Sequence, residues 1–470
     1  MKKFGIISVT ILALLVIVYF VGTAPIDHTP FYEASYFKNT CIRIDSLKKN
    51  TVTENDSLQA GFSKISITPT LNNSTDNFAE GKFVQVPLAG FGARKGKPAT
   101  AVHDSIFIKA IALKVKQQTL VFVGADLLIM PPNITDSVSA LLAKKGIRRD
   151  QLVFSATHSH SSIGAWGPGF LAEQFSGKEN ANVEKWLIQQ ISKAIILAVA
   201  DLRPASLGSS CFDAGMYTRN RLVGDLGTKN NDFCFVEIQQ SGGRKAILGS
   251  FSAHATTMGS GNMEISADYP GYWERKMEAS KFDLAVFFAG SVGSQSPVGE
   301  GKGFDKPQMI GEALADSLNA HLNQVKPEAR LLMSSVSLKI QLPGYHMRLT
   351  TTRNLSNALS RKIMPYPAHV YLQAIRLGNL IWITAPADFS GEYALQIKNA
   401  LAVKGFKANV TSFNGSYVGY IIPGRYFYLD EYEPKTMGWF GPNMGEYSMN
   451  LIRQISDLVM QTNEHDETNF

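Results

Sequence analysis

Cysteine is scarce. The 470 residues contain three, Cys41, Cys211 and Cys234, too few for a disulfide scaffold or a cysteine-built zinc module. Cys211 and Cys234 are available to pair if the chain is exported. A long basic block is also missing. The 46 Lys/Arg and 39 Asp/Glu residues give a net charge of +7 that is scattered along the chain, which leaves no nucleic-acid footprint. The GxSxG elbow of α/β-hydrolases is absent. No internal repeat, low-complexity tract or Gly/Ser linker interrupts residues 60–465, so they read as one domain. What is present, 45% apolar and 18% charged residues, fits a folded globular chain.

The first segment carries a charge-free apolar run. Lys2 and Lys3 precede Phe4–Gly22, and at about 1.5 Å per residue this run nearly spans a bilayer core. Pro25 disfavours cleavage after the small residues Val21 to Ala24, and no cysteine stands near the run to take a lipid. We therefore expect residues 1–24 to be an uncleaved membrane anchor rather than a cleaved signal. Either one exports the domain, to the periplasm or the cell exterior, and the leading lysines keep the N-terminus inside. Residues 25–60, polar and mixed, are expected to form a stalk before a domain at 61–465.

Beyond the stalk, strand and helix patterns alternate. Phe62–Thr68, Ile106–Val115, Leu120–Leu128 and Leu152–His160 read as strands. Asn133–Lys145, with Asn133 or Thr135 as cap, and Val183–Leu202 read as helices. The second half continues with strands at Phe233–Gln239, Ala246–Ala253, Leu284–Ala289 and within Val370–Thr384. Its helices are expected at Tyr269–Ser280, Pro307–Val325, Ser390–Val403 and Met449–Met460. This alternation predicts an α/β fold, a mixed sheet flanked by helices in one large domain.

Several strands end in residues that can do chemistry. Leu152-Val153-Phe154 runs into His158-Ser159-His160, and residues i and i+2 of a strand share a face. Imidazole is a good zinc ligand, though both could be ordinary loop residues. Phe251-Ser252-Ala253 ends in His254. Asp268 can cap the next helix or orient a ligand histidine. The turn Gly290–Pro297 carries Ser296, a nucleophile, a hydrogen-bond donor or simply a turn former. Ile383–Asp388 ends in a carboxylate that can bind a metal or cap a helix. Tyr417, Tyr420, Tyr426, Tyr428 and Tyr432 form a run whose ordinary use is packing. Together, three strand ends deliver His, His and Asp, and a catalytic zinc takes about three protein ligands and an open position.

In order along residues 60–465, these segments resemble the neutral (alkaline, non-lysosomal) ceramidases. Ala156–Ser161 resembles A-T-H-T-H-S, and Asn220-Arg221 an N-R-S-P region. Ala253–Met258 resembles V-H-x-T-S-M, and Ser266–Tyr272 resembles S-G-D-N-K-G-Y. Gly293–Pro297 resembles G-D-V-S-P, and Pro386–Phe389 resembles P-G-E-F. Tyr417–Ile421 and Asp430–Glu433 resemble Y-T-H-Y-I and Q-R-Y-E. The resemblance implies that His158, His254, Asp388 and Tyr420 hold Zn2+. It implies that His160, Arg221 and Tyr432 meet the substrate carbonyl, with Ser296 at the reacting centre. The implied reaction is hydrolysis of the N-acyl amide of ceramide or a related N-acyl lipid by zinc-activated water. The rivals are a zinc esterase or deacylase for another amphiphile, and a binding protein with a decayed site. Three departures stand out. Asp388 replaces the family's Glu, the serine turn has lost its Asn and Asp, and Phe440–Met460 resembles the end of the family's catalytic domain, without the β-sandwich that normally follows.

Overall fold

The computed structural model describes Ile7 and residues 19–461. One twelve-stranded sheet organises them. Its strands are β1 (Thr53–Ser66), β2 (Phe107–Val115), β3 (Gln118–Ala125), β4 (Leu152–Ala156), β5 (Arg203–Asp213) and β6 (Asp232–Gln240), then β7 (Lys245–Phe251), β8 (Leu284–Ala289), β9 (Arg330–Lys339), β10 (Tyr371–Leu377), β11 (Leu380–Thr384) and β12 (Lys407–Thr411). The long β1 is the branch point. Its first residues pair with β9, its remainder with β2, and Gln59 and Ala60 also pair with β5. Three wings leave it: β2-β3-β4, β5-β6-β7-β8 and β9-β10-β11-β12.

The wings pack against one another through a shared apolar centre. Phe122 of β3, Phe288 of β8 and Trp382 of β11 meet there with ring centroids 6.0–6.3 Å apart. Helices cover the outer faces. The helices α1 (Ser35–Asn50), α6 (Gly391–Ala402) and α7 (Met444–Met460) pack on the β9–β12 wing. On the β2–β4 wing lie α2 (Pro132–Ala143) and α3 (Ala181–Ala200). The pair α4 (Asp268–Ser280) and α5 (Asp305–His321) lies against β8. The expected mixed sheet flanked by helices is what forms. Local signals explain the boundaries. The Asn180 side chain accepts from Asn182 N–H to start α3, and Pro132 opens α2 at a position where no N–H is needed. The Thr135 hydroxyl does not cap α2 but bonds the Pro132 and Gly415 carbonyls.

Two expectations change. Residues 35–60 are packed into the domain: Ile44 is buried in the core, the Thr40 hydroxyl bonds Tyr447 at 2.8 Å, and β1 already starts at Thr53. Polar composition misled here because an edge helix buries only one narrow stripe. The strand expected to reach His160 ends at Ala156. Cys211 and Cys234, in register on β5 and β6, are disulfide-bonded. The expected anchor, Phe4–Gly22, lies for the most part outside the described residues, among which no helix is long and apolar enough to cross a membrane.

Candidate metal centre and its cavity

The C-terminal ends of β4, β7, β8, β11 and β12 converge. Gly290 N–H bonds Phe251 O, Ser412 N–H bonds Ala289 O, and Ala385 N–H bonds Thr411 O. Past these ends, single backbone bridges stitch the loops. Ser159 bridges Ala255, and His160 N–H donates to Ala255 O at 3.0 Å. His254 N–H donates to Gln295 O, and Gly293 bridges Ser390. Asp388-Phe389 pairs in parallel with Tyr420-Ile421, which sets Asp388 directly opposite Tyr420. Gly419 makes this approach possible: its φ is +77°, and a Cβ there would lie 2.3 Å from the Met437 carbonyl oxygen.

His158, His160 and His254 form a cluster able to hold a metal ion, their ligating atoms all within 4.8 Å of one another. Asp388 and Tyr420 lie beside it. Asp388 Oδ1 stands 3.3 Å from His158 Nε2 and 3.1 Å from His254 Nε2. His254 Nε2 lies 2.8 Å from the Tyr420 hydroxyl. Ligands ~2.05 Å from a tetrahedral zinc stand about 3.3 Å apart, so this spacing suits one small cation. His158 is held at φ +61°, a region uncommon for a non-glycine residue and recurrent at functional sites. Phe413 stacks on its ring at 4.3 Å.

Hydrogen bonds behind the ligands decide which histidines are oriented for metal. His158 Nδ1 donates to Leu128 O at 2.7 Å, and His254 Nδ1 donates to Gln295 O at 2.9 Å. Each ring therefore presents the Nε2 lone pair to the centre. Asp388 Oδ1 is buried and receives no hydrogen bond, while Oδ2 accepts from the Tyr417 hydroxyl at 2.7 Å. Two lone pairs facing an unpartnered carboxylate oxygen leave a site that a cation fits. His160 differs. Its Nδ1 is buried without a partner, so no hydrogen bond behind the ring orients it, and its Nε2 lies 3.2 Å from His158 Nε2. Gly90 packs directly on the His160 ring, where a Cβ would come within 2.6 Å of Cγ.

The electrostatics agree. Burial, then the Arg221 charge, lowers the His254 imidazole to about 3, so it is a neutral ligand. Burial, then the Asp388 charge, pushes the Tyr420 phenol far up. Arg221 Nη2 donates to the Tyr420 hydroxyl at 2.8 Å and lies 3.0 Å from His254 Nε2, while Nε pairs with Glu433 Oε1 at 2.7 Å. Ser294 Oγ donates to Glu433 Oε2. Tyr432 opens a wide π-helical turn, Tyr432–Thr436, with its ring 6.4 Å from that of Tyr420.

The centre floors a cavity of about 330 Å³. His158, His160, Asp388 and Tyr420 line one end, and the walls are mainly apolar, with Leu128, Trp166, Leu171, Phe175, Met437 and Trp439 among them. Ser296 is not among the lining residues. It sits on the short strand Gln295–Pro297, opposite Arg219. Asp268 orients no ligand histidine: its carboxylate accepts from Tyr269 N–H in the first turn of α4 and from Thr257 N–H and hydroxyl, which pins the loop after His254. Sequence reasoning missed Glu433, Ser294 and Tyr417. Tyr417, three residues before Tyr420, was the one with a legible position.

Residues 78–302 match the family model described as neutral/alkaline non-lysosomal ceramidase, N-terminal. No curated protein matches the chain significantly. Among solved structures, the neutral ceramidase from Pseudomonas aeruginosa superposes with a TM-score of 0.71 at 18% identity, over 86% of this chain and 75% of that one. A structure described as a ceramidase complexed with C2 gives 0.70 at 18% identity, with the same coverage. At that identity the superpositions show the fold, and the family model adds the sequence pattern. Over residues 78–302 the chain is similar in sequence to the neutral/alkaline non-lysosomal ceramidases, and its fold is that of the superposed structures.

Proposed function

We propose that the protein is a zinc-dependent amidohydrolase that cleaves the N-acyl amide bond of ceramide or a related N-acyl lipid. The observation that carries this reading is the convergence of His158, His254, Asp388 and Tyr420, of which His158, Asp388 and Tyr420 line an apolar-walled cavity. Its volume is in the range of small-ligand sites, and its walls suit an acyl chain. Those four residues would hold Zn2+, which when bound supplies Lewis-acid polarisation of a carbonyl and acidifies water.

The remaining roles fall to side chains around that set. Arg221, fixed by Glu433 and kept charged, brings a positive charge next to the Tyr420 and His254 ligands, where it stabilises negative charge building on the scissile carbonyl oxygen. The Tyr432 hydroxyl, on a half-exposed side chain at the cavity wall, adds a hydrogen bond to that oxygen. His160 lines the cavity beside the metal-binding set, where it can carry a proton to the leaving nitrogen. Ser296 contributes through its strand: the neighbouring Gln295 carbonyl orients His254. Outside the domain, the N-terminal run would tether this activity to a membrane on the exported side, where a Cys211–Cys234 disulfide persists.

The test is purified, zinc-loaded full chain incubated with a long-chain ceramide, with free fatty acid and sphingoid base read by mass spectrometry. Release of both products that disappears in His158→Ala supports the reading. Full zinc occupancy with no cleavage of ceramide or any other N-acyl amide removes it.

A further inference from the structure

The described end of the apolar N-terminal run is fastened to the rim of the cavity. Residues 19–22 form a helical turn. Thr23–Pro25 then pairs antiparallel with Arg353–Leu355, and Ser356 N–H donates to Gly22 O at 2.8 Å. Arg353 donates to the Thr23 hydroxyl at 2.7 Å, and its guanidinium lies 4.7 Å over the Tyr19 ring. The short helix Asn357–Ile363 follows, and after it Met364–Pro367 lines the cavity. The facing rim segment meets it at Gly169, where a Cβ would lie 3.2 Å from Pro365 Cδ. Pro168 and Pro365 both line the cavity and are exposed, so the mouth opens between these segments.

Large apolar side chains project around this mouth. Phe20 is 65% exposed, Val21 69%, Phe170 61% and Leu359 37%. Grouped exposed apolar residues mark an interaction surface. The segment that carries Leu359 is basic, while the facing helix Phe170–Ser176 carries one acid, Glu173. From Ala329 to Ala387 the chain contains no Asp or Glu and seven Lys/Arg residues. Two of these, Arg361 and Lys362, are exposed in the last turn of the short helix. The Arg361 guanidinium lies 4.1 Å over Tyr366, itself a cavity-lining residue.

We propose that this rim docks on an anionic lipid bilayer, with Phe20, Phe170 and Leu359 entering the interface and Arg361 and Lys362 meeting lipid phosphates. The cavity mouth then opens onto the membrane, and an amphiphile reaches the floor without crossing water. Continuity with the charge-free run Phe4–Gly22 and the basic stretch that carries Leu359 select a bilayer over a protein partner or a second copy. The surface is independent of which bond the enzyme cleaves.

The experiment uses the full chain carrying Cys41→Ser and Leu359→Cys, labelled with an environment-sensitive fluorophore. It is reconstituted into phosphatidylcholine vesicles with about one third phosphatidylglycerol. The comparison label is Val403→Cys, 90% exposed just past the far end of α6. Docking predicts blue-shifted emission at position 359 that brominated lipid quenches, while position 403 emits as in water. Arg361→Glu with Lys362→Glu should reverse the shift at 359. If 359 is quenched no more than 403, the docking proposal is overturned. If the charge reversal and pure phosphatidylcholine both leave the 359 signal unchanged, the anionic selectivity is overturned. No catalytic activity is read, so the outcome stands apart from the hydrolase proposal.

Discussion

The two ends of the cavity are built differently. At the floor, His158, His254 and Asp388 are buried, and each is oriented by a bond to Leu128 O, Gln295 O or the Tyr417 hydroxyl. The segments that meet there are far apart in sequence and are joined by single backbone bridges. At the rim, Pro168, Phe170, Leu359 and Pro365 are exposed and come from two short stretches, residues 167–175 and 357–367. A preorganised floor suits chemistry that tolerates little misplacement, whereas an apolar rim suits a ligand recognised by shape and solubility.

Substitutions should separate these two ends. The largest effect is expected from His254→Ala or His158→Ala: metal content falls to background by elemental analysis, and hydrolysis falls with it. A variant that keeps both would show that the floor is not the metal site. Next comes Tyr417→Phe, which frees Asp388 Oδ2. A lost bond behind a metal ligand weakens metal affinity or activity by about 10–100-fold, measurable by competition with a chelator, while melting temperature stays close to wild type. At the rim side, Leu171→Trp narrows the cavity. It should raise KM roughly 10-fold for long-chain substrates and little for short ones, leaving metal content intact; an equal effect on both chain lengths would break the distinction. The smallest effect is expected from Ser296→Ala, a change of about 0.5 kcal/mol or less in stability, with zinc retained and activity near wild type. Acyl transfer to Ser296, trapped by mass spectrometry, would overturn that reading.

The same contrast explains what the sequence could show. Floor residues were legible because strand ends that finish in His158, His254 or Asp388 leave local signatures. Their spatial assembly was not, since it depends on pairings such as Asp388 with Tyr420 and Ser159 with Ala255 that no periodicity encodes. His158 and His160 were expected side by side on a strand. They meet instead after the strand has ended, through a backbone turn at φ +61°, and rings 4.7 Å apart hide that difference from any spacing rule. Rim residues such as Phe170 and Leu359 carry no signature, because an exposed apolar residue means something only beside its neighbours. The α1 segment failed for a related reason: its few buried residues, Thr40 and Ile44, sit in an otherwise polar helix.

The central claim is that Asp388 and Tyr420, rather than His160, complete the metal site with His158 and His254. An anomalous difference map at the zinc absorption edge, from crystals of zinc-loaded protein, tests it directly. The account predicts one peak about 2.0–2.3 Å from His158 Nε2, His254 Nε2, Asp388 Oδ1 and the Tyr420 oxygen. A peak ligated by the three histidines with Asp388 set back, or no peak in this cavity, would contradict it.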